Sequence, residues 1–416
     1  MDRLLIKNIF SLFSIQAVNY ILPLLIIPYL VRVLGVEVFG VYILILTVSQ
    51  YFIILTEYGF NLSATRKIAV NLDNFNYVSK TFSSVLAAKI FLAIIGIVLL
   101  NLALLCIPKY QDYTGYLNVA YLSVWGSVFF PIWLYQAYEK MVWIAVCNFV
   151  SRIAGIILVF LFVKSSEDLY LAILIQGLIP VIAAVIAMCH SQIKGLADFK
   201  KIDKFDVLHE LKDSWDIFIS TSFVSLYTTS IPIILGMTSG VASVGIFSAA
   251  DKIRLALQSL INPVSQALYP RLSKLMQSEE NAALALIKKT FQYFVIPLFI
   301  LSLGVMIFSD KIITIFYGQN MHDVSNLLKI LVWIPPIVAI ANLLGIQIML
   351  PKGMSRQFSI TYIISGIVGF PVLFISSAAF SIWGVSVASI LIEVMVVTLF
   401  FYFISKSKKP LKLCHK

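Results

Sequence analysis

Seven ionisable side chains fall inside stretches that are otherwise apolar: Glu57, Lys89, Arg152, Asp251, Lys252, Arg254 and Glu393. A charge at bilayer depth costs at least a few kcal/mol unless it faces a cavity or a partner, so such positions mark substrate or ion pathways. Ser248, Asp251, Arg254, Gln258, Asn262 and Ser265 follow one another at spacings of 3, 3, 4, 4 and 3 residues. That is one face of a helix. The stripe is expected to face a wet lumen; the competing reading is helix–helix hydrogen bonding within one bundle. Asp251 and Arg254 can also neutralise each other as an i,i+3 pair. Thr47, Gln50, Glu57 and Asn61 form a weaker stripe, and Asn148, Arg152 and Gly155 share a face. Lys89 lies a third of the way into its span and could snorkel to the inner surface. Glu393 could be a counter-ion, a proton carrier or a partner for Arg152.

Signals for catalysis are missing. His190, His209, His322 and His415 sit at span ends or in loops without metal-ligand spacing. No GxxxxGK[ST] loop is present, so nucleotide hydrolysis is not expected. No paired carboxylates lie on a long external loop, where glycosyl transfer would need them. Cys106, Cys147, Cys189 and Cys414 show no CxxC spacing and read as small apolar residues. The expectation is a non-enzyme with no metal and no cofactor.

The elements that position these groups are membrane helices. Of 416 residues 60% are hydrophobic and 12% charged, with a mean hydropathy of +0.95. A soluble domain is nearer half apolar and a quarter charged. The apolar runs are long rather than alternating, which disfavours an outer-membrane barrel. About 20 apolar residues make a crossing. Twelve spans are expected, at roughly 10–32, 41–60, 82–106, 116–137, 142–163, 169–189, 215–237, 245–269, 290–308, 329–350, 358–378 and 383–404. Span eight, with Asp251, Lys252 and Arg254, is the least regular; without it the two ends would lie on opposite sides. The first span follows MDRLLIKNIF directly and reads as a retained helix rather than a signal peptide.

With the N-terminus inside, 22 of the 31 Lys and Arg fall on the inner side, five on the outer side and four within spans. The positive-inside rule then places both ends in the cytoplasm. It also accounts for the net charge of +11 without nucleic acid.

The chain repeats itself at an offset of 205 residues. LGVEVFGVY (34–42) aligns with SGVASVGIF (239–247), Arg66 with Arg271, and Pro28 with Pro232 after one residue of slippage. Six spans per half give two parallel repeats about an axis along the membrane normal. The expected organisation is a lobe at 1–190, a cytoplasmic linker at 191–214 forming a surface amphipathic helix, a second lobe at 215–404, and a basic tail at 405–416. Prolines 28, 131, 180, 232, 297, 335, 336 and 371 interrupt spans and are candidate hinges.

The run PYLVRVLGVEVFGVY (28–42), then SATRKIA (63–69), PIWLYQAYEKM (131–141), GIFSAADKI (245–253) and ALYPRLSKL (267–275) is similar to the polysaccharide flippases of bacterial surface-glycan clusters. Within the multidrug/oligosaccharidyl-lipid/polysaccharide exporter superfamily the chain most resembles the O-antigen flippase (Wzx) group, over essentially its whole length. The resemblance implies an all-α integral membrane fold, with twelve helices in two pseudo-twofold-related six-helix lobes around a central, often cationic cavity. The implied cargo is an undecaprenyl-diphosphate-linked oligosaccharide repeat unit, moved from the cytoplasmic to the periplasmic leaflet of the bacterial inner membrane. Partners implied are the bilayer, an O-antigen polymerase and a chain-length regulator, with no nucleic acid.

Physical chemistry agrees with that cargo, because a diphosphate cannot enter hydrocarbon unaided and guanidinium or ammonium groups can replace its hydration. On this reading Arg152, Arg254, Lys252 and Lys89, with Gln258 and Asn262, hold the diphosphate or acidic sugars. Arg66 and Arg271 recruit the headgroup at the cytoplasmic mouth. Glu57, Asp251 and Glu393 are candidates for H+ or Na+ coupling. Two rivals share the many-span design: a cation-coupled small-molecule exporter of the same superfamily, and an O-antigen polymerase, which should carry larger periplasmic loops. An interaction scaffold is disfavoured by the duplication and the polar stripe.

Overall fold

In the computed structural model, which describes residues 3–319 and 321–407, the regular elements are all helical. The basic tail from 408 onward therefore lies outside the described residues. In chain order the helices are α1 (Arg3–Glu57), α2 (Phe60–Val70), α3 (Phe75–Cys106), α4 (Thr114–Ala120), α5 (Leu122–Phe129) and α6 (Ile132–Ala137). Next come α7 (Met141–Phe162), α8 (Leu169–Ile193), α9 (Lys204–Thr228), α10 (Ile231–Thr238), α11 (Val241–Ser259) and α12 (Ile261–Ser278). The rest are α13 (Glu280–Thr290), α14 (Ile296–Ile307), α15 (Ser309–Tyr317), α16 (His322–Leu331), α17 (Ile334–Leu344) and α18 (Ser355–Ser405).

Eight helical stretches among the described residues are long and apolar enough to cross a membrane. Two of them, Ile26–Val70 with 45 residues and Ser355–Ser405 with 51, are long enough for two crossings each. The chain is a multi-pass membrane protein.

The breaks inside these stretches have local causes. Gly35 interrupts α1 at φ 77, ψ 161, and Gly240 precedes α11 at φ 85, ψ 169. These dihedrals are open to glycine and strained for other residues. The two glycines lie 205 residues apart, so the duplicated motif carries the same corner in both copies. Pro28 leaves α1 helical, whereas Pro232 opens α10. Pro263 has no N–H for the Ser259 carbonyl and its ring crowds that group, so the predicted span eight is two helices parted at Leu260. Ser381, at φ 51 and ψ −135, divides α18 between the two predicted final spans.

By internal contacts the chain divides into two compact units. The first covers 33–222. The second runs from Phe223 onward and includes the first helix up to Arg32.

In the first unit, α5 and α7 pack on α8 through glycine. A Cβ on Gly126 would stand 2.5 Å from the Pro180 backbone, the close approach small residues allow in membrane helices. Tyr121 donates to Ala93 O and Tyr135 to Ala187 O, both at 2.7 Å. The linker is helical only in its second half. From Lys194 it runs irregularly along α3, where Ser79 and Ser83 hydroxyls accept from the amides of Asp198 and Lys200 at 3.0 and 2.8 Å. Helix then starts at Lys204 and continues without interruption into the seventh predicted span.

The start of α9 is tied down. Lys67 meets Glu210 at 3.0 Å and Asp213 at 2.7 Å, Lys80 meets Asp206 at 2.8 Å, and Ser63 and Ser214 share a 2.7 Å hydrogen bond. Charge partners are needed because Glu210 is only 6% exposed.

The second unit has a core of Leu268, Leu272, Ala283, Met349, Val396 and Phe400, closed by Phe358 stacked on Phe400 at 5.6 Å. Tyr317 donates to Ala249 O at 2.8 Å, and Thr238 and Ser377 share a 2.6 Å hydrogen bond.

Candidate functional site

The polar stripe of span eight keeps only its middle. Arg254 donates from Nε to Asp251 Oδ1 at 2.5 Å and from Nη1 to Gln258 Oε1. The i,i+3 and i,i+4 spacings on α11 make both reaches possible. Arg254 and Asp251 side chains are 13% and 20% exposed. Lys252 interacts electrostatically with both. Glu393 of α18 lies within electrostatic reach of Arg254 and of Tyr227 and Tyr362. The second unit thus gathers Asp251, Lys252, Arg254, Gln258 and Glu393 into one charged cluster.

The ends of the stripe belong elsewhere. Ser248 is buried, and its hydroxyl has no hydrogen-bond partner. Ser265 is buried too: Gln347, fully enclosed, donates to its hydroxyl at 2.8 Å and to its carbonyl at 3.0 Å. There the helix–helix reading applies, because an enclosed amide must find acceptors. The expected lumen-facing run from end to end is therefore shortened by the break after Ser259. Asn262, just beyond that break, is exposed.

In the first unit Glu57 ends α1 and interacts electrostatically with Lys89 of α3. Lys89 does not snorkel. It is 1% exposed, donates to Ser127 O at 2.7 Å, and lies 4.8 Å from the ring centre of Trp133. The acceptors are inside the unit, so the side chain stays there. Arg152 is half-buried on α7, beside a Gly155 whose missing Cβ admits Ile179. Thr47 returns its hydroxyl to Ile43 O at 2.8 Å. Arg66 is exposed on α2. Arg271 borders a cleft of about 330 Å³ between α12 and α13, lined also by Leu275, Glu279, Leu286 and Lys289. No group of three or more His, Cys, Asp or Glu among the described residues could hold a metal ion.

Ionisation outside the spans follows the ion pairs. Lys67 holds the Asp213 carboxyl below its usual range, and Lys80 does the same for Asp206. Burial raises Glu210, with Lys67 opposing. Ser325 at 2.6 Å and Lys329 at 3.2 Å lower Asp310.

Several partners escape sequence reading. Tyr227 and Tyr362 have no polar spacing to mark them. Gln347 sits in an apolar run. Ser127 and Trp133 could have been found from Pro131, which predicts a freed carbonyl four residues earlier.

Residues 5–276 match the family described as "Polysaccharide biosynthesis protein". The chain belongs to that family. A protein of Escherichia coli (strain K12) is 34% identical over 402 residues, 97% of this chain and 97% of its own length. One of Shigella dysenteriae is 29% identical over 395 residues, 94% of this chain and 98% of its own. Both carry the name "Putative O-antigen transporter".

This family member also shares its fold with solved transporters. The lipid II flippase MurJ, in an inward closed conformation, superposes with a TM-score of 0.78 at 16% identity, over 95% of this chain and 88% of that one. An inward-facing multidrug resistance MATE family transporter of the MOP superfamily gives 0.64 at 14% identity, over 91% and 96%.

Proposed function

We propose that this chain is a flippase for an undecaprenyl-diphosphate-linked oligosaccharide repeat unit of the O-antigen type. It carries the unit from the cytoplasmic to the periplasmic leaflet of the inner membrane by alternating access. The halves are 1–190 and 215–404, joined by 191–214, with both termini cytoplasmic and a basic tail at 405–416.

The observation that carries this reading is the Arg254 cluster. The Arg254 guanidinium, mostly enclosed, is held in place by Asp251 and Gln258. Two of its five N–H directions are committed to those groups, which leaves a planar fork for a second, bidentate acceptor. A diphosphate supplies that acceptor. Arg254, Lys252 and Arg152 form the cationic ligand set, with Gln258 and Asn262 for sugar hydroxyls. Arg66 and Arg271 receive the headgroup from the inner leaflet. Asp251, Glu393 and Glu57 set the charge balance and couple the cycle to H+ or Na+. The product passes to a polymerase and a chain-length regulator.

Arg254→Ala and Arg152→Ala should each abolish surface glycan, while lipid-linked repeat units accumulate on the cytoplasmic leaflet and the variant still inserts. Normal surface glycan in both variants would refute the assignment. The fold shared with multidrug transporters makes a small-molecule exporter the rival. It is distinguished by deletion: a rival exporter leaves glycan intact and changes drug susceptibility.

A further inference from the structure

An ammonium closed off from water must find acceptors within the protein. Lys89, 1% exposed on α3, finds them across a break in the neighbouring span. Pro131 has no N–H for the carbonyl of Ser127, four residues earlier, and its ring presses on that carbonyl. α5 stops at Phe129, Phe130 is extended at φ −87, ψ 104, and helix resumes at Ile132. The Ser127 carbonyl takes the Lys89 ammonium instead, at 2.7 Å. The same ammonium lies 4.8 Å from the ring centre of Trp133, which is in the first turn after the break. One cation therefore touches both sides of the interruption, with Glu57 supplying opposite charge.

The repeat supplies an internal comparison. Pro336 lies 205 residues after Pro131 but inside α17, and the span is parted before it, at Val332 and Trp333 between α16 and α17. The position equivalent to Lys89 is Phe294, packed into an apolar cluster. In that half the parting residues keep right-handed helical dihedrals, φ −64, ψ −14 at Val332 and φ −80, ψ −15 at Trp333. The extended break goes with the lysine; the gentle one goes with the phenylalanine.

We infer that Lys89 is a positioning residue that fixes the break in the fourth span by replacing the N–H that Pro131 lacks. It serves the bend and is not a ligand for cargo. The inference does not depend on which cargo is carried.

The test is a double-mutant cycle, read by melting temperature in purified, detergent-solubilised protein and by transport in intact cells. Lys89→Met should lower the melting temperature by roughly 1–3 °C, as an enclosed carbonyl loses its donor. In a Pro131→Ala background the new amide can serve Ser127, so Lys89→Met should cost less than half as much and transport should tolerate it. Should Lys89→Met fail to fold, recovery of folded yield in the double variant reads the same coupling. An equal loss in both backgrounds, no loss in the native background, or transport abolished in both with the melting temperature unchanged would each overturn the assignment.

Discussion

Replacing Lys67 by Met removes the cation that Glu210 and Asp213 share at the start of α9. The side chains of Lys67, Glu210 and Asp213 are 14%, 8% and 36% exposed. Breaking a buried pair from one side costs about 3–5 kcal/mol. Asp213 can turn to water and keeps His209 at 3.4 Å, so its share is that of a surface pair, about 0–1 kcal/mol. Glu210 can also take up a proton. For an ordinary carboxyl that costs about 3.5 kcal/mol at neutral pH, and less here because burial has already raised it. The net expectation is about 2 kcal/mol, or roughly a 30-fold rise in local opening. Amide hydrogen exchange over residues 207–214, followed by mass spectrometry, measures it. Adding Glu210→Gln removes the stranded carboxylate and should recover at least half of the lost protection. Unchanged exchange in Lys67→Met, or faster exchange in the double variant, would refute this reasoning.

The same pair sets a pH response. Asp213 is lowered, so its contribution is full at neutral pH and is lost as pH falls through its folded value, below the ordinary carboxylate range. Glu210 is raised, so protonation relieves a burial cost as pH falls from neutral through its folded value. Protection of the first turns of α9 should peak in mildly acidic buffer and collapse below about pH 4; a steady decline from pH 7 would contradict it. Gly240→Ala meets no atom within 4 Å, so only backbone strain opposes it. A loss of about 1–3 kcal/mol should appear as a lower melting temperature, and an unchanged melt would show that the corner can relax. Gln347→Leu leaves the Ser265 hydroxyl enclosed without its donor and should cost about 1–3 kcal/mol, with Ser265→Ala recovering part of it in a thermal melt.

Much of the fold was legible because membrane helices are written in composition. Apolar length marks the spans other than 215–237 and 245–269, which fall outside the apolar stretches; the repeated motif aligns Gly35 with Gly240 without foretelling the corner that both make. Pro263 was passed over: span eight looked continuous by periodicity, yet a missing N–H divides it, and beyond the break Ser265 pairs with Gln347. The linker was legible only in part: it is helical with an exposed face from Lys204 onward, but its charges gave no sign of the irregular first half or of Lys67 and Lys80 pairing with its acids. Of the candidate site, Asp251, Arg254 and Gln258 were found by spacing on one helix. Glu393 stood out only as an isolated acid; its neighbours are Tyr227 of α9 and Tyr362 on the far side of the Ser381 break in α18, which periodicity does not connect. Lys89 was recognised as an expensive charge but assigned the wrong environment, since a freed carbonyl on another helix leaves no mark near it.

The matching corners at Gly35 and Gly240 also bear on how the chain could be stiffened. Both use dihedrals open to glycine, and a Cβ added at either would meet no atom within 4 Å. A side chain at either corner is therefore opposed by the backbone and not by its surroundings.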